Sequence, residues 1–471
     1  MGPVPALEDS ARICADRLHA AEGILLASHI DADGLTSAAI ASRALERAGQ
    51  SVDIVFEDQL DEAAIERLAA ADHQTVLFTD FGSGQLEMIA DHADAGDFDP
   101  VVVDHHQPAD VSIDAHLNPL LEGIDGASEL SGAGTAYILA RALETDHDNR
   151  DLAALAIVGA VGDMQAVGGE LVGANREIVA EGVAADVLAQ GPDLAFYGTQ
   201  TRPLPKLLEY GSEVSIPGIT NNEAGATAFL RELDLDLTGT GDGDWRRWVD
   251  LGDDERQRLA SALVQRAIQR GVPAEEVEDL VATTYTLPAE PAGTELRDAS
   301  EFSTLLNATA RYDRADVGLA VCLGDRDGAL ERARRLLRNH RRNLSEGLEW
   351  VQEHGVTSLQ HLQYFDAGAA IRETIVGIVA GMALGTDGVD GRRPIIAFAR
   401  KSDAETKVSA RGTGRLVGRG LDLSAVMSEA AGAVGGEGGG HNIAAGATIP
   451  TDTKEAFIEH ADQLVGAQLN R

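Results

Sequence analysis

Short apolar runs that stop abruptly on acidic or histidine residues recur along the first part of the chain. Gly23-Ile24-Leu25-Leu26-Ala27-Ser28 leads into His29, Asp31 and Asp33, and positions 75–79 lead into Asp80. Val101-Val102-Val103 leads into Asp104, His105 and His106, and the run 154–161 leads into Gly162 and Asp163. Apolar runs of this length bounded by polar or turn residues predict buried strands. Between them, positions 35–48 and 61–71 carry Ala, Leu, Ile and Arg at helical spacing and predict amphipathic helices. Strand alternating with helix predicts an α/β fold with a parallel sheet and helices on both faces. Ligands of such sheets bind beyond the carboxyl ends of the strands. All four runs therefore bring Asp or His to one edge.

The regular alternation extends from about 23 to 188. A less regular block follows, with Pro203, Pro205 and Pro217, a glycine-rich loop at 238–244 and a helical stretch over 245–270. From Glu301 the pattern resumes, with a helix through Asn307 to Arg311 and an apolar run at 317–323 that reads as a core strand around Cys322. Positions 327–353 predict one long helix carrying Arg332, Arg334, Arg335, Arg338, Arg341 and Arg342. That helix reads equally as a solvated face balancing acidic neighbours or as a phosphate contact. The last part predicts strands at 394–399 and 407–411 and a terminal glycine-rich loop. The expected division is a catalytic domain at 1–194, a mainly helical insertion at 195–295, a return at 296–325, a connecting helix at 326–358 and a smaller α/β domain at 359–471.

Composition changes the picture in one respect. The chain of 471 residues carries 77 acidic and 38 basic residues, a formal charge of −39, and only four of the basic residues are lysines (Lys206, Lys401, Lys407, Lys454). With 44% hydrophobic residues and strong periodicity it is not an acidic disordered protein. An acidic, lysine-poor surface points to a salt-saturated cytoplasm, where screening acts beyond roughly 3 Å. Net charge alone then does not exclude nucleic acid. Cys14 and Cys322, the only two cysteines, make neither a disulfide framework nor a zinc cluster. No basic-then-apolar signal pattern and no run of membrane-spanning length is present, so a cytoplasmic protein is expected.

Candidate chemistry lies in the polar ends of the apolar runs. Unpaired ionisable groups are expensive to desolvate, whereas on a cation the same groups become ligands. His29-Ile30-Asp31-Ala32-Asp33-Gly34 superficially follows a calcium EF-hand loop, but the required glutamate twelve positions on is Ile40. Mixed His and carboxylate donors suit Mn²⁺ or Mg²⁺. Taken singly, Asp31 or Asp33 also reads as a helix cap. Taken together, His29, Asp31, Asp33, Asp80, His105, His106 and Asp163 predict a two-metal centre, with Asp80 as the natural bridge.

These motifs resemble a known family. Ser28-His29-Ile30-Asp31-Ala32-Asp33-Gly34, Asp80, Asp104-His105-His106 and Gly162-Asp163 match in order the four motifs of the DHH phosphoesterases. Gly438-Gly439-Gly440-His441-Asn442-Ile443-Ala444-Ala445-Gly446 matches the glycine-rich signature of the associated DHHA1 domain. Within the superfamily the chain resembles archaeal RecJ-like single-strand nucleases, including the GINS-associated type. Leu305-Leu306-Asn307-Ala308-Thr309-Ala310-Arg311, Asp80 to Gln85, Asn175-Arg176 and Lys407-Val408-Ser409-Ala410-Arg411 carry that likeness.

The resemblance implies one cation held by His29, Asp31 and Asp80 and a second by Asp33, Asp80, His105 and Asp163. It implies Asp104 orienting a ligating histidine and His106 on the scissile phosphate. It also implies Asn307, Arg311, Ser409, Arg411, Gly438, Gly439, Gly440 and His441 on the nucleic acid. The expected activity is that of an exonuclease using two Mn²⁺ or Mg²⁺ ions on single-stranded DNA, releasing mononucleotides from the 5′ end. Single-stranded RNA is a further substrate to consider, and the GINS complex and replicative helicase are the expected partners. Two alternatives stand beside it: a phosphodiesterase or phosphatase of small nucleotides, and a mainly structural replisome factor.

Overall fold

The computed structural model describes residues 2–166, 169–211, 213–239, 245–386 and 388–469. Its chain divides into two compact units, Met1–Arg334 and Arg335–Arg471.

The first unit is built on a five-stranded parallel sheet. Strands β1 (Ile24–His29), β2 (Val52–Glu57), β3 (Thr75–Thr79), β4 (Asp99–Val103) and β5 (His116–Leu117) lie in the order β2-β1-β3-β4-β5. Successive side chains of a strand face opposite ways. Leu25, Ala27, Val76, Phe78 and Val102 accordingly pack one face onto helices α3 (Glu62–Ala69) and α4 (Leu86–Ala95), through Ile65, Leu68 and Ile89. The other face takes α1 (Glu8–Ala20), α2 (Ala32–Arg47) and α5 (Gly132–Ala142). Burial on both faces explains the continuous apolar runs of β1, β3 and β4.

Two predicted strands are helices. The run 154–161 lies in α6 (Ala153–Gly162), which packs against α2 and α5. Its residues from Ala156 to Ala160 are all buried, so the run carries no polar stripe to reveal a helical period. Gly159 permits the close approach, since a Cβ there would lie 2.4 Å from the Ala133 methyl and 2.5 Å from Asp33 Oδ1. The run 317–323 is likewise the helix Ala315–Cys322, with Gly318 against Leu35 and Thr309. Cys14 and Cys322 are both free and buried, and burial pushes each thiol up to about 12.

After α7 (Gly173–Ala184) the chain leaves and re-enters this body through an antiparallel ribbon, β6 (Ala189–Leu194) with β7 (Val281–Thr286). The residues between them form their own core, including Phe196, Leu208, Ile216, Phe229, Trp248, Leu259 and Leu263. The stretch predicted as helical over 245–270 begins with β-bridges at Trp245 and Arg247, followed by a 3-10 turn at Trp248–Asp250, and its α-helix is Asp253–Gln269. Most of the predicted glycine-rich loop, residues 240–244, lies outside the described residues.

The boundary between units falls within the long helix Gly328–His354. Arg334 on it pairs with Glu295 and Glu331, and Arg342 approaches Glu346. These contacts fit the charge-balancing reading for those two residues. The second unit holds a six-stranded sheet in the order β12-β13-β11-β10-β9-β8. Its strands are β8 (Thr357–Ser358), β9 (Gln363–Asp366), β10 (Ile395–Arg400), β11 (Glu405–Arg411), β12 (Glu437–Gly440) and β13 (Ala444–Pro450). Period-two alternation in β10 sends Ile395, Ala397 and Ala399 into one core and Ile396 and Phe398 into the other. The glycines Gly438 to Gly440, expected as a loop, form the edge strand β12 paired to β13. A Cβ at Gly438 would lie 2.5 Å from the Met427 carbonyl oxygen, so only glycine fits that register.

Candidate metal centre

Each acidic or histidine side chain is delivered by an element end. β1 ends on His29, and Asp31 then caps α2, its Oδ1 accepting the Gly34 N–H at 3.0 Å. Asp33, in the first turn of α2, is buried and accepts the Gly132 and Ala133 N–H groups at the start of α5 (2.7 and 3.0 Å). β3 ends at Thr79, and Asp80 follows with φ +61. Aspartate tolerates this left-handed conformation better than most residues, and such strain gathers at functional sites. β4 delivers Asp104, His105 and His106. Asp163 arrives as the C-cap of α6, not from a strand.

These side chains converge on a cavity of about 260 Å³ lined by His29, Asp31, Asp80, His105, His106 and Asp163 among others. His29 Nδ1 lies 3.2 Å from Asp31 Oδ2 and 3.7 Å from Asp80 Oδ2. His105 Nε2 lies 3.2 Å from Asp80 Oδ1 and 3.7 Å from Asp33 Oδ2, and its Nδ1 lies 3.9 Å from Asp163 Oδ2. Potential ligand atoms of His29, Asp31 and Asp80 all fall within 4.8 Å of one another, as do those of Asp33, His105 and Asp163. Asp80 touches both groups through different oxygens. Gly132 makes room for it, because a Cβ there would sit 2.2 Å from Asp80 Oδ1.

The donor set fits a hard divalent cation. Asp80 Oδ1 is buried and has no hydrogen-bond partner among the described residues. His105 Nδ1 is 2.6 Å from the Gly126 carbonyl, a contact that places the proton on Nδ1 and leaves the Nε2 lone pair facing Asp80. Two electron-rich atoms so apposed require a cation or a proton between them. The titration shifts agree. Burial and the charges of Asp33 and Asp31 raise Asp80 well above the usual carboxylate range. Burial, then Asp33, raises Asp163 to about 7. Burial alone would lower His29, but Asp31, Asp80 and Asp58 outweigh it and lift it to about 9. Burial also opposes protonation of His105, and Asp33, Asp104 and Asp163 overcome it.

Asp104 has a different task from the one expected. It is fully buried and its Oδ1 accepts from His106 Nδ1 (2.8 Å) and from the His105 and His106 N–H groups. Its Oδ2 accepts the Ser83 N–H. Asp104 therefore orients His106, not the ligand candidate His105, whose ring is held by Gly126. The His106 hydrogen bond holds Asp104 low against the opposing effect of burial, and Asp104 in turn raises His106. Sequence reading missed the supporting groups. Gln165 Nε2 donates to Asp163 Oδ2 (2.9 Å) and to the Gly126 carbonyl, and Asn175 Nδ2 donates to Gln165 Oε1. Ser83 Oγ meets His116 Nε2 and Asn118 Nδ2, and Asn118 also holds the His106 carbonyl. Of these, Ser83 and Asn175 lie in segments that carried a signal and Gln165 lies two places after Asp163, whereas His116, Asn118 and Gly126 carried none.

The expected nucleic-acid residues divide between the units. In the first, Asn307 Oδ1 accepts the Ala32 N–H beside Asp31, and the charge of Arg311 helps lower Asp31. In the second, Ser409 and Arg411 lie on β11, Gly438 to Gly440 on β12, and His441 is exposed just beyond it. The Arg411 guanidinium lies over Gly377, where a Cβ would come within 2.5 Å of it.

Comparison with known proteins places this arrangement. Residues 23–160 match the DHH family, N-terminal domain, residues 196–281 the DHH-CID domain and residues 360–467 the DHHA1 domain. An uncharacterized protein of Methanocaldococcus jannaschii is 30% identical over 456 residues, 95% of this chain and 94% of that one. The chain belongs to the DHH/DHHA1 family of phosphoesterases.

Within the family it is similar to RecJ. The single-stranded-DNA-specific exonuclease RecJ of Thermus thermophilus is 29% identical over 201 residues, 39% of this chain and 28% of that one. A crystal structure of RecJ with Mn²⁺ from the same organism shares the fold, with TM-score 0.61 at 18% identity over 99% of this chain and 55% of that one. CDC45 from Entamoeba histolytica also shares it, with TM-score 0.65 at 11% identity over 98% and 97% of the two chains.

Proposed function

We propose that the protein is a metal-dependent exonuclease that hydrolyses phosphodiester bonds of single-stranded DNA to mononucleotides, from the 5′ end, in DNA replication and repair. The observation that carries the reading is the buried Asp80 set between two groups of ligand atoms, with its Oδ2 3.7 Å from His29 Nδ1 and its Oδ1 3.2 Å from His105 Nε2. His29, Asp31 and Asp80 would hold one Mn²⁺ or Mg²⁺, and Asp33, Asp80, His105 and Asp163 a second. A bound pair would polarise phosphoryl oxygens and activate water at neutral pH. The chain's own groups do the positioning. Gly126 and Gln165 fix His105 and Asp163, and the Asp104 hydrogen bond favours the charged form of His106, which lines the cavity and can donate to a phosphate oxygen. Asn307, Arg311, Ser409, Arg411 and the residues from Gly438 to His441 are assigned to flanking phosphates.

The boundaries 1–194, 195–295, 296–325, 326–358 and 359–471 remain our assignment of domains. The charge of −39 and the scarcity of lysine support an extremely halophilic cytoplasm as the setting. Among the described residues no helix is long and apolar enough to cross a membrane. The likeness of fold to CDC45 supports a second reading, a replisome role beside GINS and the helicase that coexists with activity. The test is digestion of 5′- and 3′-labelled single-stranded DNA and RNA in multimolar KCl with Mn²⁺. Wild type should release mononucleotides and Asp80→Ala should not. Cleavage of dinucleotides alone favours a small-substrate phosphodiesterase, and digestion that survives in the variant removes the two-metal basis.

A further inference from the structure

Met164, the residue after Asp163, occupies a position that the rest of the fold gives to glycine or aspartate. Helix α6 ends with the Met164 N–H bonded to the Val161 carbonyl and the Gln165 N–H to the Ala160 carbonyl, with Met164 at φ +60. This pair of bonds closes a helix through one left-handed residue, which is usually glycine because a Cβ is disfavoured there. The same pair closes α2 through Gly49, the helix Asp253–Gln269 through Gly271 and the helix Ala315–Cys322 through Gly324. It closes α7 through Asp186. The other left-handed non-glycine residues among those described are Asp80, Asn221 and Asp313, all types whose short polar side chains tolerate the conformation. Met164 is the exception, and packing does not explain it, because the residue is 87% exposed.

A flexible, polarizable side chain is thus held in a disfavoured backbone conformation, in water, beside a residue of the proposed metal centre. We infer that Met164 is a substrate-contact residue whose thioether packs on the face of a nucleobase flanking the scissile phosphate. Sulfur–aromatic contact is sequence-tolerant, since every base presents a π-face, and it suits a chain with only 4% aromatic residues to stack on DNA. This inference rests on the nuclease reading.

The experiment compares wild type, Met164→Gly and Met164→Asn on single-stranded DNA and on the same oligonucleotide made abasic at either nucleotide flanking the scissile bond. Both variants relieve the backbone, so both should melt at higher temperature in EDTA and bind Mn²⁺ as wild type does. On intact DNA their KM should rise roughly two- to tenfold, with kcat changed less. On one of the abasic substrates wild type should lose that advantage and equal the variants. An unchanged KM on intact DNA, or a KM difference that persists undiminished on both abasic substrates, overturns the inference while leaving the nuclease reading intact. Wild type that does not digest single-stranded DNA overturns both.

Discussion

Replacing Asp80 by Asn separates what the carboxylate does for metal from what it does to the metal-free fold. Asp80 is 2% exposed, its Oδ1 has no hydrogen-bond donor among the described residues, and it faces His105 Nε2 at 3.2 Å. Leaving a buried acceptor unsatisfied costs about 1–3 kcal/mol, and the charges of Asp33, Asp31 and Asp163 add to that burden. Asparagine keeps the shape, tolerates φ +61 and removes a buried carboxylate that without metal must hold a proton between itself and His105. Without metal the variant should therefore be more stable by roughly 1–3 kcal/mol. Unfolding entropy of about 2.1 cal/mol/K per residue gives the unit Met1–Arg334 roughly 0.7 kcal/mol/K, so Tm in EDTA should rise by about 1.5–4 °C. With Mn²⁺ the order should invert, because wild type gains binding energy that the variant has lost. Loss of several kcal/mol of charge stabilisation should lower the cleavage rate by about 10³-fold or more. Differential scanning calorimetry in EDTA and in Mn²⁺, with a single-turnover cleavage assay, measures all three. A variant within tenfold of wild type in rate, or one that melts lower in EDTA, refutes the reasoning.

Three further outcomes follow from the same geometry. Asp163 is held near about 7 and His29 near about 9, so between about pH 4 and 9 the metal-free native state binds more protons than the unfolded chain and loses stability as pH rises. Mn²⁺ displaces those protons, so the gap in Tm between Mn²⁺-loaded and EDTA-treated protein should widen from pH 6 to 8.5, and a constant or narrowing gap contradicts this. Gly132→Ala puts a methyl 2.2 Å from Asp80 Oδ1 and should abolish Mn²⁺ binding by calorimetry, whereas retained affinity would show that Asp80 can move aside. Gln165→Leu removes the donor shared by Asp163 and the Gly126 carbonyl and should weaken Mn²⁺ binding about 10- to 100-fold, with circular dichroism unchanged.

How much of this was legible in the chain depended on how each residue is buried. The strands β1, β3 and β4 could be read because a parallel strand covered on both faces leaves an unbroken apolar run, and the polar residues that end it mark the sheet edge. The same logic misread α6 and the helix Ala315–Cys322, since a helix buried on every side loses its period as well. Gly159 and Gly318 are glycines because residues of other helices lie where a Cβ would stand, and sequence alone does not show what they touch. The ligand candidates were legible as residue types at strand ends. Their pairing was not, because it depends on which ring nitrogen or carboxylate oxygen each neighbour holds. Gly126 on His105 and Asp104 on His106 are contacts of this kind: the first comes from a segment with no pattern of its own, and the second joins two residues whose motif does not say which histidine the carboxylate holds.

The central claim is a dinuclear centre bridged by Asp80, and anomalous diffraction from crystals grown with Mn²⁺ tests it most directly. The account predicts two manganese peaks about 3.5–4 Å apart. One should lie among His29, Asp31 and Asp80, and the other among Asp33, Asp80, His105 and Asp163. A single peak that leaves Asp80 unshared, or full occupancy elsewhere with this cluster empty, would contradict it.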